Sequence, residues 1–188
     1  FAEKGSLFDL MHQKKVQLSE ERILRVAKQI AVAMCYLHKK KIKHCDLKSQ
    51  NILVTEDWTV KLGDFGLANQ ESGTTFNRRW AKYHKSQPEQ LGPIGTPHWM
   101  APEILRGEAY QDASDVYSYG VILWEMSTGQ IPYYGRSVAQ ITGIVGYFGD
   151  KLVPPEKCNR KLKKIINNCL LYEPERRPTF HDVIRYLE

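Results

Sequence analysis

The stretch from residue 116 to residue 126 constrains the fold of this chain most strongly. Apolar or aromatic side chains such as Val116, Tyr119 and Ile122 fill nearly every position and leave little room for a polar face. A helix that is apolar nearly all round is usually buried at the centre of a domain. The whole chain has 188 residues with 42% apolar content, which is long enough to pack one core around this helix.

Hydrophobic periodicity predicts a mainly helical domain with one small β-hairpin. Ser19 and the two glutamates after it are typical of a helix start, and apolar residues recur at helical spacing as far as His38. Residues 52–54 and 60–62 are predicted to be strands joined by a polar turn. Two or three further helices are expected at 138–148, 162–171 and 180–187. Loss of periodicity over 69–95 indicates a long loop.

Composition narrows the class of protein. Lysine and arginine outnumber aspartate and glutamate by 27 to 21, which suits an anionic partner such as nucleotide phosphate or an acidic protein, or simply a mildly basic surface. The four cysteines have neither C-x-x-C nor metal-ligand spacing, so reduced thiols in a cytoplasmic protein are the simplest interpretation. No apolar run is long enough for a membrane span, and no nucleic-acid partner is expected.

Three short motifs carry the candidate chemistry. In chain order they are His44-Cys45-Asp46-Leu47-Lys48-Ser49-Gln50-Asn51, Asp64-Phe65-Gly66 and Ala101-Pro102-Glu103. Each alone has an ordinary explanation, since Asp-Phe-Gly, for example, is a common turn tripeptide. Their occurrence together, with the second motif directly after the predicted hairpin, is much harder to explain by chance.

Together the motifs resemble the C-terminal (large) lobe of a eukaryotic protein kinase. The resemblance implies a helical bundle around a buried central helix, with the hairpin at the catalytic cleft. It covers residues 1–188, starting near the hinge between lobes, with 64–103 as the activation segment. No G-x-G-x-x-G loop or V-A-I-K-like strand precedes the motifs, so the β-rich N-terminal lobe is expected to be absent.

The resemblance further implies ATP-dependent phosphoryl transfer to serine or threonine of a protein substrate. Asp46 would be the catalytic carboxylate that accepts the proton of the substrate hydroxyl, and Lys48 would contact the γ-phosphate. Asn51 and Asp64 would bind Mg²⁺, for which amide and carboxylate oxygens are suitable ligands.

Three other residues match positions near the nucleotide in the family. Leu53 would form the floor beneath adenine, although a leucine of the strand core is the competing interpretation. Ala2 would offer backbone atoms to adenine, and Ser6 would reach the ribose.

Several residues match structural positions of the family. His44 and Phe65 would belong to an apolar column that links the lobes. Asp115, near the start of the buried helix, would hold the catalytic loop through backbone N–H groups, with simple helix capping as the alternative. Glu103 and Arg177 would form an internal ion pair, the alternative being two unrelated surface charges.

Details favour the tyrosine-kinase-like group of serine/threonine kinases, which includes the Raf and mixed-lineage kinases. Lys48 two residues after Asp46, and Gly95-Thr96-Pro97 ahead of the third motif, are typical of serine/threonine kinases; Thr96 is also a candidate phosphosite. Cys45 departs from the family, in which most members have an arginine that pairs with a phosphorylated residue. A thiol cannot make that bidentate contact, so activation by another route is expected.

A non-catalytic, pseudokinase-like module that binds proteins is the alternative function. The intact set of Asp46, Lys48, Asn51 and Asp64 favours an enzyme, because a scaffold has no need of magnesium ligands. Without an N-terminal lobe to position the phosphates, the isolated chain is expected to be nearly inactive.

Overall fold

Helices dominate the computed structural model, which describes residues 2–64 and 96–188. The α-helices are α1 (Glu20–Lys39), α2 (Pro102–Leu105), α3 (Asp112–Thr128), α4 (Val138–Ile141), α5 (Arg160–Cys169) and α6 (Phe180–Leu187). The strands are β1 (Gly5–Ser6), β2 (Ile52–Val54) and β3 (Val60–Leu62). Two π-helices lie at Asp9–Gln13 and Thr142–Tyr147, and 3₁₀ turns at Ser49–Asn51, Thr96–Trp99 and Pro174–Arg176.

The helix α3 forms the centre of the fold, as its apolar sequence predicts. Every residue from 114 to 126 is buried, and complete burial of one large apolar side chain contributes about 1.5–3 kcal/mol. Gly120 allows α5 to approach closely, because a Cβ atom there would lie 2.7 Å from the Cβ of Cys169. Gly129 ends the helix with a positive φ of 65°, a conformation that glycine adopts without strain.

The helix α1 packs against both α3 and α6. Its predicted start is confirmed, because Ser19 is the N-cap and its side chain accepts a hydrogen bond from the Arg22 backbone N–H. Ile23, Ala27 and Ile30 are among the residues that it buries against the core. The Tyr119 hydroxyl of α3 donates to the Ala27 carbonyl over 3.1 Å, which joins the two helices through a buried polar contact.

The three strands form one antiparallel sheet in the order β1-β2-β3. The predicted hairpin is present with its predicted bounds, and Leu53 pairs with Lys61 in its register. The strand β1 was not predicted. It pairs with the edge of β2 that is not paired with β3, and Ser6 lies opposite Leu53 in this pairing. Asn51 directly precedes β2, and Asp64 follows β3 by two residues. The sheet therefore brings the last residue of the first motif close to the first residue of the second.

Some sequence predictions need correction. The helix predicted over 138–148 is α4 followed by the π-helix Thr142–Tyr147, and the one predicted over 162–171 begins two residues earlier, at Arg160. The π-helix Asp9–Gln13 and α2 were not predicted. Phe65 and Gly66, together with the predicted loop 69–95, lie outside the described residues.

Two further expectations concern membranes and cysteines. Within residues 2–64 and 96–188, none of the helices combines the length and the apolar character that crossing a membrane requires. All four cysteines lie in these ranges, and none of them forms a disulfide. The absence of disulfides agrees with the expectation of reduced thiols.

Candidate active site

Two residues of the first motif contact the buried carboxylate of a third. Asp46 is 8% exposed, and its Oδ2 lies 2.7 Å from Nζ of Lys48. The Asn51 side-chain amide donates to the same Oδ2 over 3.1 Å and to the Asp46 backbone carbonyl over 2.8 Å. The 3₁₀ turn Ser49–Asn51 makes this possible, because it folds Asn51 back toward Asp46.

The two oxygens of the Asp46 carboxylate have different surroundings. Oδ2 has two partners, Lys48 and Asn51, whereas the buried Oδ1 has no hydrogen-bond partner among the described residues. Burial raises the pKa of Asp46 above its ordinary value, and Lys48 and Asn51 partly offset this rise because they favour the charged form. One oxygen is therefore held in place while the other can accept a hydrogen bond.

The second motif begins beside this cluster. The Gly63 backbone N–H donates to the Asn51 carbonyl over 2.8 Å, and the Gly63 carbonyl lies 3.2 Å from Nε2 of His44. Asp64 is exposed and directly follows Gly63, with a φ of 53° that is uncommon for a residue other than glycine. Residues held in such conformations cluster at functional sites.

Asp115 holds the first motif by its backbone, as the sequence predicts. This fully buried carboxylate accepts hydrogen bonds from the backbone N–H groups of His44 over 3.0 Å and Cys45 over 3.1 Å. The capping alternative is wrong, because the N-cap of α3 is Gln111. Cys45 has a φ of 65°, a backbone conformation that is otherwise unfavourable. The two hydrogen bonds that Asp115 accepts help to hold it.

Two residues that the sequence analysis did not select complete the Asp115 contacts. Nε2 of His38 lies 2.8 Å from Oδ2, and the Tyr110 hydroxyl donates to Oδ1 over 2.6 Å. Burial, with a smaller contribution from Asp115, raises the pKa of Tyr110 well above its ordinary value, so its hydroxyl stays protonated. Asp115 therefore has four hydrogen-bond partners, which suits a buried charge.

Glu103 and Arg177 form the predicted internal ion pair. Two parallel contacts of 2.7 and 2.8 Å join their side chains, and both side chains are fully buried at this contact. Arg177 also donates to the carbonyls of Leu171, Tyr172 and Ala113. The pair thus ties α2, which includes Pro102 and Glu103 of the third motif, to the start of α3 and to the segment after α5.

Another buried acid, Glu125 of α3, was missed by the sequence analysis. Its Oε1 lies 2.8 Å from both His12 Nε2 and the Ser49 hydroxyl, and its Oε2 accepts from the Trp99 indole N–H over 2.9 Å. Burial raises the pKa of Glu125, and its hydrogen-bond donors oppose that rise. The signal in the sequence was the single acidic residue in the mostly apolar stretch 116–126.

The residues predicted near the nucleotide lie at the sheet. Leu53 is half-buried, and one of its methyl groups would be 3.4 Å from a Cβ added to Gly63. The Ser6 hydroxyl donates to the Asp9 carboxylate over 2.7 Å and accepts from the Asp9 N–H over 3.0 Å. The Ala2 carbonyl accepts from the Gly5 N–H over 3.0 Å. Their nucleotide contacts stay predictions.

The remaining residues predicted to have structural or regulatory roles are buried, lie in a turn, or fall outside the described residues. His44 and Cys45 are buried within the first motif. Thr96 begins a 3₁₀ turn, Thr96–Trp99, just ahead of the third motif. Phe65 and Gly66 lie outside the described residues, so their predicted roles stay predictions.

Comparison with protein families assigns the domain. A family model described as "Protein tyrosine and serine/threonine kinase" matches residues 1–187. The fold is therefore that of a protein kinase domain. The chain belongs to the protein tyrosine and serine/threonine kinase family, as its motifs predict.

Relatives refine this assignment. The serine/threonine-protein kinase CTR1 of Arabidopsis thaliana is 39% identical over 191 residues, covering 100% of this chain and 22% of CTR1. The "Probable serine/threonine-protein kinase drkC" of Dictyostelium discoideum is 36% identical, covering 98% of this chain and 24% of drkC. The "Probable serine/threonine-protein kinase SIS8" of Arabidopsis thaliana is 37% identical, covering 100% of this chain and 17% of SIS8. These relatives confirm that the domain is of the tyrosine-kinase-like type of serine/threonine kinases. The chain spans less than a quarter of the length of each of them.

Proposed function

We propose that residues 1–188 are the large lobe of a serine/threonine-protein kinase, with 64–103 as its activation segment. The proposed reaction moves the γ-phosphoryl group of ATP to a serine or threonine hydroxyl of a protein substrate. The observation that carries the proposal is the asymmetry of Asp46, in which Oδ2 is bound by Lys48 and Asn51 while Oδ1 has no partner among the described residues. A carboxylate with one fixed and one available oxygen is suited to orient an incoming hydroxyl.

In this proposal the chain's own residues orient the acceptor and balance charge. Asp46 Oδ1 accepts the hydrogen of the substrate hydroxyl and takes up its proton. The Lys48 ammonium has three donors, so it can keep its 2.7 Å contact with Asp46 while it donates to an oxygen of the γ-phosphate. Asp115 maintains the loop conformation through the His44 and Cys45 N–H groups.

Asn51 and Asp64 fit the chemistry of a magnesium site. The Asn51 NH₂ group is used by Asp46, which leaves its amide oxygen as a metal ligand, and Asp64 contributes a carboxylate at the same end of the sheet. Two such ligands would hold the ion jointly with nucleotide phosphates, because Mg²⁺ usually keeps one or two protein ligands beside phosphate oxygens and water. When bound, Mg²⁺ supplies positive charge to the phosphate oxygens.

The nucleotide is proposed to lie on the sheet side of this cluster. Leu53 would contact adenine, Ala2 would present backbone atoms to it, and Ser6 would lie near the ribose. The support is their position, because Ser6 and Leu53 pair across β1 and β2, and Leu53 lies two residues after Asn51. The Ser6 hydroxyl would have to loosen its contact with Asp9 to reach a ribose.

The relatives, all named as serine/threonine-protein kinases, support serine or threonine as the acceptor. The alternative is a pseudokinase-like module that binds proteins without turnover. The retained contacts among Asp46, Lys48 and Asn51 favour the enzyme, because protein binding alone would not require them. The 188-residue chain expressed alone is expected to be nearly inactive compared with the protein expressed from its whole gene.

Asp46→Asn in the protein expressed from its gene tests the proposal. Asparagine preserves the size of the side chain but is a poor base, so kcat should fall by about 10²–10⁴-fold. The measurement is radiolabelled phosphate transfer to a generic protein substrate. Asp57→Asn, at an exposed position of the hairpin turn, is the matched control and should leave kcat unchanged.

Turnover that persists unchanged in Asp46→Asn would exclude Asp46 as the base. Absence of turnover in the unaltered protein, with ATP binding intact, would instead support the protein-binding alternative.

A further inference from the structure

A second candidate site lies away from the cluster around Asp46. It is a surface cavity of about 750 Å³, and no residue between 44 and 64 lines it. Trp124, Ile131, Ile144 and Leu152 contribute its apolar surface, and the Trp124 indole is fixed because it donates to the Val153 carbonyl over 2.8 Å. A volume of this size is typical of binding pockets.

The charges that line the cavity are mostly positive. Lys15, Arg136 and Lys151 are exposed, and none of them forms a salt bridge with a residue in the described part of the chain. Among the described residues of the lining, Asp150 is the one acidic side chain, and it accepts a hydrogen bond from the Lys151 backbone. Three cations against one carboxylate favour an anionic ligand.

The rim of the same cavity exposes apolar side chains. Tyr134 is 72% exposed and Val153 is 73% exposed. Apolar surface rimmed by polar groups marks interaction sites on soluble proteins. A ligand confined to the cavity would leave these two side chains in water, whereas a protein segment lying across the rim would cover them.

The backbone around the cavity is also unusual. Tyr133 and Lys15, which both line it, have positive φ values of 49° and 54°. Ile144 lies in the π-helix Thr142–Tyr147, and π-helical turns are frequent at functional sites. Bulky residues in the left-handed region are strained and persist where function or surrounding structure requires them.

We infer that this cavity is a docking site for an acidic segment of a partner protein that carries one bulky apolar side chain. The apolar side chain enters between Trp124 and Ile144, and flanking aspartate or glutamate residues lie against Lys15, Arg136 and Lys151. The site is distinct from the phosphoryl-transfer centre, so its occupancy can be measured without turnover.

One wall of the docking site leads toward the candidate active site. His12 lines the cavity, and its Nε2 lies 2.8 Å from Glu125, which in turn binds Ser49 of the first motif and Trp99. A docked segment would therefore contact His12, whose partner Glu125 also binds Ser49 of the first motif.

The test uses a fluorescein-labelled peptide in which one phenylalanine is flanked on both sides by glutamates, with binding to the full chain followed by fluorescence anisotropy. Charge reversal by Arg136→Glu or Lys151→Glu should weaken binding about tenfold or more, because each places a like charge beside the peptide. Both residues are exposed, so the folded core should tolerate the change. Lys161→Glu, an exposed position of α5 outside the cavity, is the matched control and should bind as the unaltered chain does.

Two further peptides separate the contributions. Replacing the glutamates by lysines, or the phenylalanine by serine, should each reduce binding about tenfold or more. Failure of the original peptide to bind overturns the inference. Equal weakening of binding by Lys161→Glu also overturns it, because the effect would then come from net charge alone. Equal binding of the serine peptide overturns it as well, because the cavity would then be an anion site without an apolar anchor.

Discussion

Asp46 and Glu125 are both buried carboxylates with raised pKa values, yet their surroundings differ. Glu125 uses both oxygens, with His12 and Ser49 at one and Trp99 at the other. Asp46 has partners at only one oxygen among the described residues. A buried acid is tolerated in a fold when both its oxygens are hydrogen-bonded, whereas an unpaired oxygen costs stability and needs an explanation such as a function. The comparison therefore separates an acid whose oxygens are both bonded within the fold from one that keeps an oxygen available, which fits the role proposed for Asp46.

The ion pair of Glu103 and Arg177 belongs to the structural side of this comparison and should show the largest effect on stability. Arg177→Met leaves the fully buried Glu103 without its counter-charge, which typically costs about 3–5 kcal/mol in the free energy of unfolding. Urea unfolding measures this change. Arg176→Met is the matched control, because its contact with Glu173 is exposed and should contribute less than about 1 kcal/mol. Equal losses in the two variants would show that burial of the pair is not what matters.

Trp99→Phe tests whether Glu125 depends on being fully satisfied. The change keeps an aromatic ring but removes the indole N–H, which leaves Glu125 Oε2 without that donor. An unsatisfied buried acceptor should lower the free energy of unfolding by about 1–3 kcal/mol. Trp58→Phe, at a half-buried position next to the hairpin turn, provides the comparison. Equal free energies of unfolding in the two variants would show that the fold does not depend on this hydrogen bond to Glu125.

The pH dependence of stability gives the smallest predicted effect. Because the folded-state pKa of Asp46 is raised above 3.8, the folded protein binds more protons there than the unfolded chain does. This contribution is present below pH 3.8 and is lost as the pH rises through the raised value. The Asp46→Asn variant lacks it, so its stability relative to the unaltered protein should increase over that window. A constant difference between the two proteins would show that the Asp46 pKa is not raised.

Sequence and structure agree best where local patterns decide the outcome. The N-cap at Ser19, the bounds of the hairpin and the apolar helix were predictable, because capping, alternation and helical spacing are local properties. The contacts of Asp115 and the pair of Glu103 with Arg177 were predicted only through resemblance to a family. Nothing local indicates that Arg177 meets a residue 74 positions away.

The missed features depend on tertiary structure. The strand β1 has only two residues, too few for any periodicity, and it exists because β2 offers it an edge. Glu125 was overlooked because its three donors come from separate parts of the chain. A lone acid within an apolar helix is a usable signal, since burial of a carboxylate requires such partners.

The most direct test of the distinction between the two acids measures kcat and the free energy of unfolding together for Asp46→Asn. The account predicts a kcat lower by about 10²–10⁴-fold, with a free energy of unfolding at neutral pH that is unchanged or higher. A variant that keeps its kcat but loses stability would show that Asp46, like Glu125, supports the structure, and would contradict the account.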